Sequence, residues 1–136
     1  MAASPRDTRM PLILLVDDDS TLLEIYTEAL GELGCEVASA PNGEVALSLA
    51  QSLKPDLILT DVMMPGMSGL ELCGRLRTDE RLCRIPRIVH SSMECGPGAA
   101  DEVFLRKSGE LSELLRCVTR CLAHGDPPPS ELSSAA

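Results

Sequence analysis

The chain has 136 residues, with 12 Lys and Arg against 21 Asp and Glu and a formal net charge of −9, which fits one domain able to bury a core without disulfides or a structural metal. That charge, with no basic stripe and a single Tyr and Phe to stack on bases, argues against direct nucleic-acid binding. The first ten residues lack the apolar core of a signal peptide, and the run from Leu12 to Val16 stops at Asp17, far short of the ~18 residues of a membrane span, so a cytoplasmic chain is expected.

Residues 1–10 mix Ala, Ser, Pro and charge without a period and read as a disordered leader. Leu12-Ile13-Leu14-Leu15-Val16 is a continuous apolar run, the mark of a strand buried on both faces. Leu22, Ile25, Tyr26, Ala29, Leu30 and Leu33 follow at helical spacing, on a helix that Asp19 or Ser20 can cap and Gly34 can end. Glu36 to Ser39 is a weak second strand. Asn42 then caps a helix carrying Val45, Ala46, Leu49, Ala50 and Leu53, which Lys54-Pro55 breaks. Leu57 to Thr60 is a third strand, and Ser68-Gly69-Leu70-Glu71 is a capping box that opens a third helix. Ile85 to Ser91 and Val103 to Arg106 read as the fourth and fifth strands. A last helix runs from Glu110 to about Ala123, and residues 124–136 read as a disordered tail rich in Pro, Ser and Ala. Apolar strands alternating with amphipathic helices predict an α/β domain over residues 11–123, an open doubly wound parallel sheet covered on both faces.

Such sheets bind ligands at the carboxyl ends of their strands. There the chain places Asp17-Asp18-Asp19 after the first strand and Asp61 after the third, with Ser91 closing the fourth and Lys107 just past the fifth. Singly, each residue reads as a cap or a solvated loop side chain; the signal is their convergence from four segments. Clustered carboxylates repel and call for a cation, and oxygen-only ligands suit Mg²⁺. A metal beside a carboxylate, with an ammonium and a hydroxyl nearby, can hold a phosphoryl group with Asp as nucleophile. His90 alternates with Ser91, so it faces the other side of its strand and is read as packed rather than catalytic. Met64 is expected under the loop. The six Cys form no C-x-x-C pair and are expected reduced, with Cys117 and Cys121 in the core or at its margin.

Val16-Asp17-Asp18, the long stretch from Lys54-Pro55-Asp56 through Asp61-Val62-Met63-Met64-Pro65 to Gly69, and Phe104-Leu105-Arg106-Lys107 resemble the receiver domains of bacterial two-component response regulators. The resemblance covers residues 11 to about 122 and implies a flavodoxin-like five-stranded sheet of order 2-1-3-4-5. It implies that Asp61 accepts a phosphoryl group from a sensor histidine kinase or a phosphotransfer protein. Mg²⁺ would be held by Asp18 directly, by Asp17 largely through water, by the Asp61 carboxylate and by the Met63 backbone carbonyl. Ser91 and Lys107 would contact phosphoryl oxygens, and Ser91 and Phe104 would form the switch that reports phosphorylation. With no output domain expected in the tail, a stand-alone receiver would signal by docking onto a downstream protein; the alternative is a receiver-like interaction module that works without phosphorylation. A haloacid-dehalogenase type of phosphatase would need a second Asp at position 63, where this chain has Met.

Two departures from the family pattern stand out. Ser108 replaces the usual Pro after the lysine, which predicts a trans bond there. Ser92 to Asp101 is too short for an average helix, so the fourth crossover helix is expected to be shortened or missing. The flank of the fifth strand around Phe104 would then be open, and the protein would not dimerise through that face.

Overall fold

A computed structural model describes residues 10–62, 64, 66–91, 102–106 and 111–124, apart from the side chains of Ser91, Glu102, Phe104, Arg106 and His124. In chain order the elements are β1 (Leu12–Val16), α1 (Ser20–Glu32), β2 (Glu36–Ala40), α2 (Gly43–Leu53), β3 (Leu57–Asp61), α3 (Gly69–Arg77), β4 (Arg87–Ser91), β5 (Glu102–Arg106) and α4 (Leu111–His124). The five strands form one sheet in the order β2-β1-β3-β4-β5, every neighbouring pair parallel. This is the expected doubly wound order. Register partners Val16 and Thr60, then Asp61 and His90, bring the ends of β1, β3 and β4 to one edge.

The sheet divides two apolar layers, which explains why β1 and β3 are apolar without a break. Ile13, Leu15, Leu57, Leu59 and Ile88 face Tyr26 and Leu30 of α1 and Leu114, Val118 and Cys121 of α4. Leu14, Val16 and Ile58 face Ala46 and Ala50 of α2 and Leu72 and Leu76 of α3. Successive strand residues point to opposite faces, so both parities must be apolar. Each fully buried Leu or Ile contributes roughly 1.5–3 kcal/mol over leaving it exposed.

The helices differ in detail from the sequence pattern. Ile25 and Leu33 of α1 are 45% and 44% exposed, so the packed face centres on Tyr26 and Leu30, with Leu22 and Leu23 at its edge. On α2 the contact is made by Ala46 and Ala50, both fully buried, while Val45 and Leu53 stay at the surface. Small side chains there let the helix lie close to the sheet. Lys54 closes α2 in the left-handed region at φ 51°, its N–H donating to the Ala50 carbonyl. β4 begins at Arg87 rather than Ile85, because the Ile85 N–H donates to Leu82 in a turn and Pro86 has no N–H to give. Among the described residues no helix is long and apolar enough to cross a membrane. The expected short crossover from Ser92 to Asp101 and the Lys107–Ser108 bond lie outside the described residues, as do the leader through residue 9 and the tail from residue 125.

Candidate functional site

Asp17 leaves the end of β1, and its N–H donates to the Ala40 carbonyl at the end of β2, 3.1 Å away. One of its carboxylate oxygens accepts the Asp19 N–H at 3.0 Å, which folds the Asp triplet into a tight turn. Asp19 in turn caps α1, accepting from the N–H groups of Thr21 and Leu22 at 2.9 and 3.3 Å. Between these two, Asp18 is left exposed at the surface. The triplet thus separates into a buried carboxylate, an exposed one and a helix cap.

Asp61 is the last residue of β3 and accepts the Val62 N–H at 2.8 Å, while the Thr60 hydroxyl donates to the Asp61 carbonyl at 2.9 Å. Asp17 and Asp61 are only 3% and 7% exposed. One carboxylate oxygen from each of Asp17, Asp18 and Asp61 lies within 4.8 Å of the others. At an effective dielectric of about 20, carboxylates so close repel by roughly 3–4 kcal/mol per pair. Three hard oxygen donors open to water on the Asp18 side suit Mg²⁺, which keeps several waters and takes carboxylates.

The segment after Asp61 is held by close backbone packing. Ser68 accepts the Glu71 N–H at 3.1 Å, as the capping box predicts, and the Gly69 N–H donates to the Val62 carbonyl at 2.9 Å. A Cβ on Gly69 would overlap the Asp61 carbonyl oxygen and stand 3.1 Å from the Val62 Cα. Only glycine lets α3 begin against the backbone of Asp61. This role is not evident from the capping box; the available signal was a Gly at the first helical position, where propensity disfavours it. Met64 and Met67 are buried beneath the loop, and Met67 packs on Gly43 at the start of α2.

His90 is 6% exposed, and its ring centroid lies 5.4 Å from that of Tyr26 of α1, tilted by 49°. It is packed, as the strand alternation predicts, although it sits in register beside Asp61. The backbone of Ser91 ends β4 opposite Arg106. Met63, Lys107 and the side chains of Ser91 and Phe104 lie outside the described residues.

A doubly wound sheet with an acidic trio at its carboxyl edge defines a class, and comparison with known proteins agrees. Residues 13–114 match the response regulator receiver domain, and the chain belongs to that family. Membership makes it a phosphoacceptor module of two-component signal transduction rather than a catalytic enzyme. It is 35% identical over 135 residues to the DNA-binding response regulator MtrA of Mycobacterium tuberculosis, covering 96% of this chain and 58% of MtrA. The chain therefore spans little more than half the length of that relative. Among solved structures it is similar to the response regulator TrrA of Thermotoga maritima in complex with Mg²⁺-BeF. That match has 35% identity and a TM-score of 0.73, covering 82% of this chain and 99% of TrrA. The chemotaxis protein CheY4 of Vibrio cholerae superposes with a TM-score of 0.75 at 29% identity, covering 82% of this chain and 98% of CheY4.

Proposed function

We propose that this receiver takes a phosphoryl group onto Asp61 from a phosphohistidine on a sensor kinase or phosphotransfer protein, with Mg²⁺ required. The observation that carries this reading is the convergence of Asp17, Asp18 and Asp61 oxygens within 4.8 Å at the ends of β1 and β3. Asp17, Asp18, Asp61 and the Met63 carbonyl would hold the ion, which when bound neutralises charge on the phosphoryl oxygens. The Asp61 carboxylate oxygen attacks phosphorus in line, and the bond from phosphorus to the donor nitrogen breaks. The Val62 N–H donates to one Asp61 oxygen and helps hold the carboxylate in place for attack. Lys107 and Ser91 contact the transferred oxygens, and Ser91 and Phe104 report the change to the surface. The phosphorylated domain then docks onto a downstream protein in the cytoplasm.

Incubation with acetyl phosphate and Mg²⁺, followed by intact-mass measurement, should add a single phosphoryl group. Asp61→Asn should add none, because the amide is not nucleophilic. Equal labelling of the variant would sink the assignment of Asp61, and labelling of neither protein would leave the phosphorylation-independent module as the better reading.

A further inference from the structure

The layer between the sheet and α1 changes character beside the acidic trio. Along the strands it is aliphatic, built from Ile13, Leu15, Leu57, Leu59 and Ile88. Leu59 and Ile88 are register partners, and two residues further along the same strands the partners are Asp61 and His90. Side chains two apart on a strand share a face, and neighbouring strands run about 4.8 Å apart. The His90 ring therefore starts beside the Asp61 carboxylate, on the same face of the sheet. Tyr26 meets that ring from the helix side, with centroids 5.4 Å apart and planes tilted by 49°. Both residues are buried, and Tyr26 is the first buried residue of α1 after the Asp19 cap.

This contact bridges the two arms that carry the trio. Asp17 and Asp18 belong to the turn from β1 into α1, and Asp61 to the end of β3. Register pairing between β1 and β3 ends at Val16 and Thr60, one residue short of both Asp17 and Asp61. Beyond that row the like charges push the two arms apart. Tyr26 is joined to the first arm through the opening turns of α1, and His90 to the second through the β3–β4 ladder.

We propose that, given the Mg²⁺-dependent phosphoryl uptake proposed above, Tyr26 and His90 are a positioning pair for that site. They brace the acidic trio against its own repulsion and hold the three carboxylates at cation-binding distance before the ion arrives. Neither ring is a ligand; each acts through the backbone that carries an acid. Two rings suit this task better than two aliphatic side chains, because tilted aromatic contacts have a preferred geometry and aliphatic burial is non-directional. When an ion cancels the repulsion, the load on the contact falls and its geometry relaxes.

Tyr26 is the only Tyr in the chain and there is no Trp, so its emission reads this contact without a label. Titrating the full chain with Mg²⁺ should change Tyr26 emission along the saturation curve that calorimetry gives independently. Tyr26→Leu and His90→Leu keep an apolar side chain but lose the ring pair. Each should weaken Mg²⁺ binding about three- to tenfold, the span that such ring pairs carry. Tyr26→Phe and His90→Phe keep two rings and should bind Mg²⁺ as the unsubstituted chain does. Urea unfolding without Mg²⁺ identifies any Leu variant that is not folded; the Phe variants and the emission curve then decide. Leu variants that bind Mg²⁺ as tightly as the unsubstituted chain would overturn the pair's role and leave Asp61 assigned. So would Phe variants that lose as much as the Leu variants, or emission that stays flat while calorimetry saturates. A chain that neither binds Mg²⁺ nor takes a phosphoryl group would overturn the pair and the proposed function together.

Discussion

Asp18 and Asp19 are neighbours in sequence with separate roles, and single substitutions should resolve them. Asp19→Ala removes the cap on Thr21 and Leu22 but keeps the backbone N–H that bonds Asp17. It should cost about 1 kcal/mol in denaturant unfolding and leave Mg²⁺ affinity nearly intact. Asp18→Ala should do the opposite, because it removes a ligand and part of the field that attracts the ion. Its Mg²⁺ titration should shift at least tenfold, about 1.4 kcal/mol, with little change in unfolding. Gly69 is the other telling residue. In Gly69→Ala the new methyl meets the Asp61 backbone, which has no flexible end to give way. Overpacking of this kind costs about 1–3 kcal/mol. Acetyl phosphate labelling of the folded variant should fall as well, because relieving the overlap moves the acceptor loop.

At the scale of elements, the ends of β1 and β3 were legible because two devices are written locally: an apolar run, and an acidic residue that closes it. What pins their other ends was not. Asp56 accepts the Leu12 N–H at 2.8 Å and gives its own N–H to the Leu12 carbonyl at 2.8 Å, a clasp between residues 44 positions apart. Nothing in the local pattern distinguishes Asp56 from a solvated loop carboxylate. Asp56→Ala leaves the Leu12 N–H without that acceptor and should destabilise the fold by about 1.5–3 kcal/mol in chemical denaturation. Asp56→Asn keeps an acceptor oxygen and should lose less. The exposed edges of α1 and α2 were misread for a related reason: periodicity counts apolar residues alike, whereas the approach of helix to sheet selects Ala46 and Ala50 over Val45 and Leu53. The start of β4 was missed because a β-like Ile85 is spent on a turn to Leu82.

Charge acts at the scale of the whole molecule. Between residues 10 and 74 Lys54 is the only basic side chain, and the acidic trio lies in that same half. With a divalent ion and Lys107 the three carboxylates of the pocket are offset, but the chain's net charge of −9 still repels a small anionic phosphodonor. Raising ionic strength from about 0.01 M to 0.15 M shortens the Debye length from about 30 to 8 Å. At saturating Mg²⁺, labelling by acetyl phosphate should therefore accelerate with added inert salt. A rate independent of salt, or one that falls, would show that local cations already cancel the field.

The division of the core by the sheet also bears on how the chain is made. Among the described residues, the cluster around Leu14, Val16 and Ile58 is built from residues no later than Ile85, whereas the opposite cluster waits for Leu114, Val118 and Cys121. At about 5–20 residues per second, synthesis takes roughly 2–7 s to pass from Ile85 to Cys121. During that interval a nascent chain can close one side while Leu57, Leu59 and Ile88 still lack the helix that covers them. The sheet is thus covered face by face during synthesis, one face early and the other only once α4 has emerged.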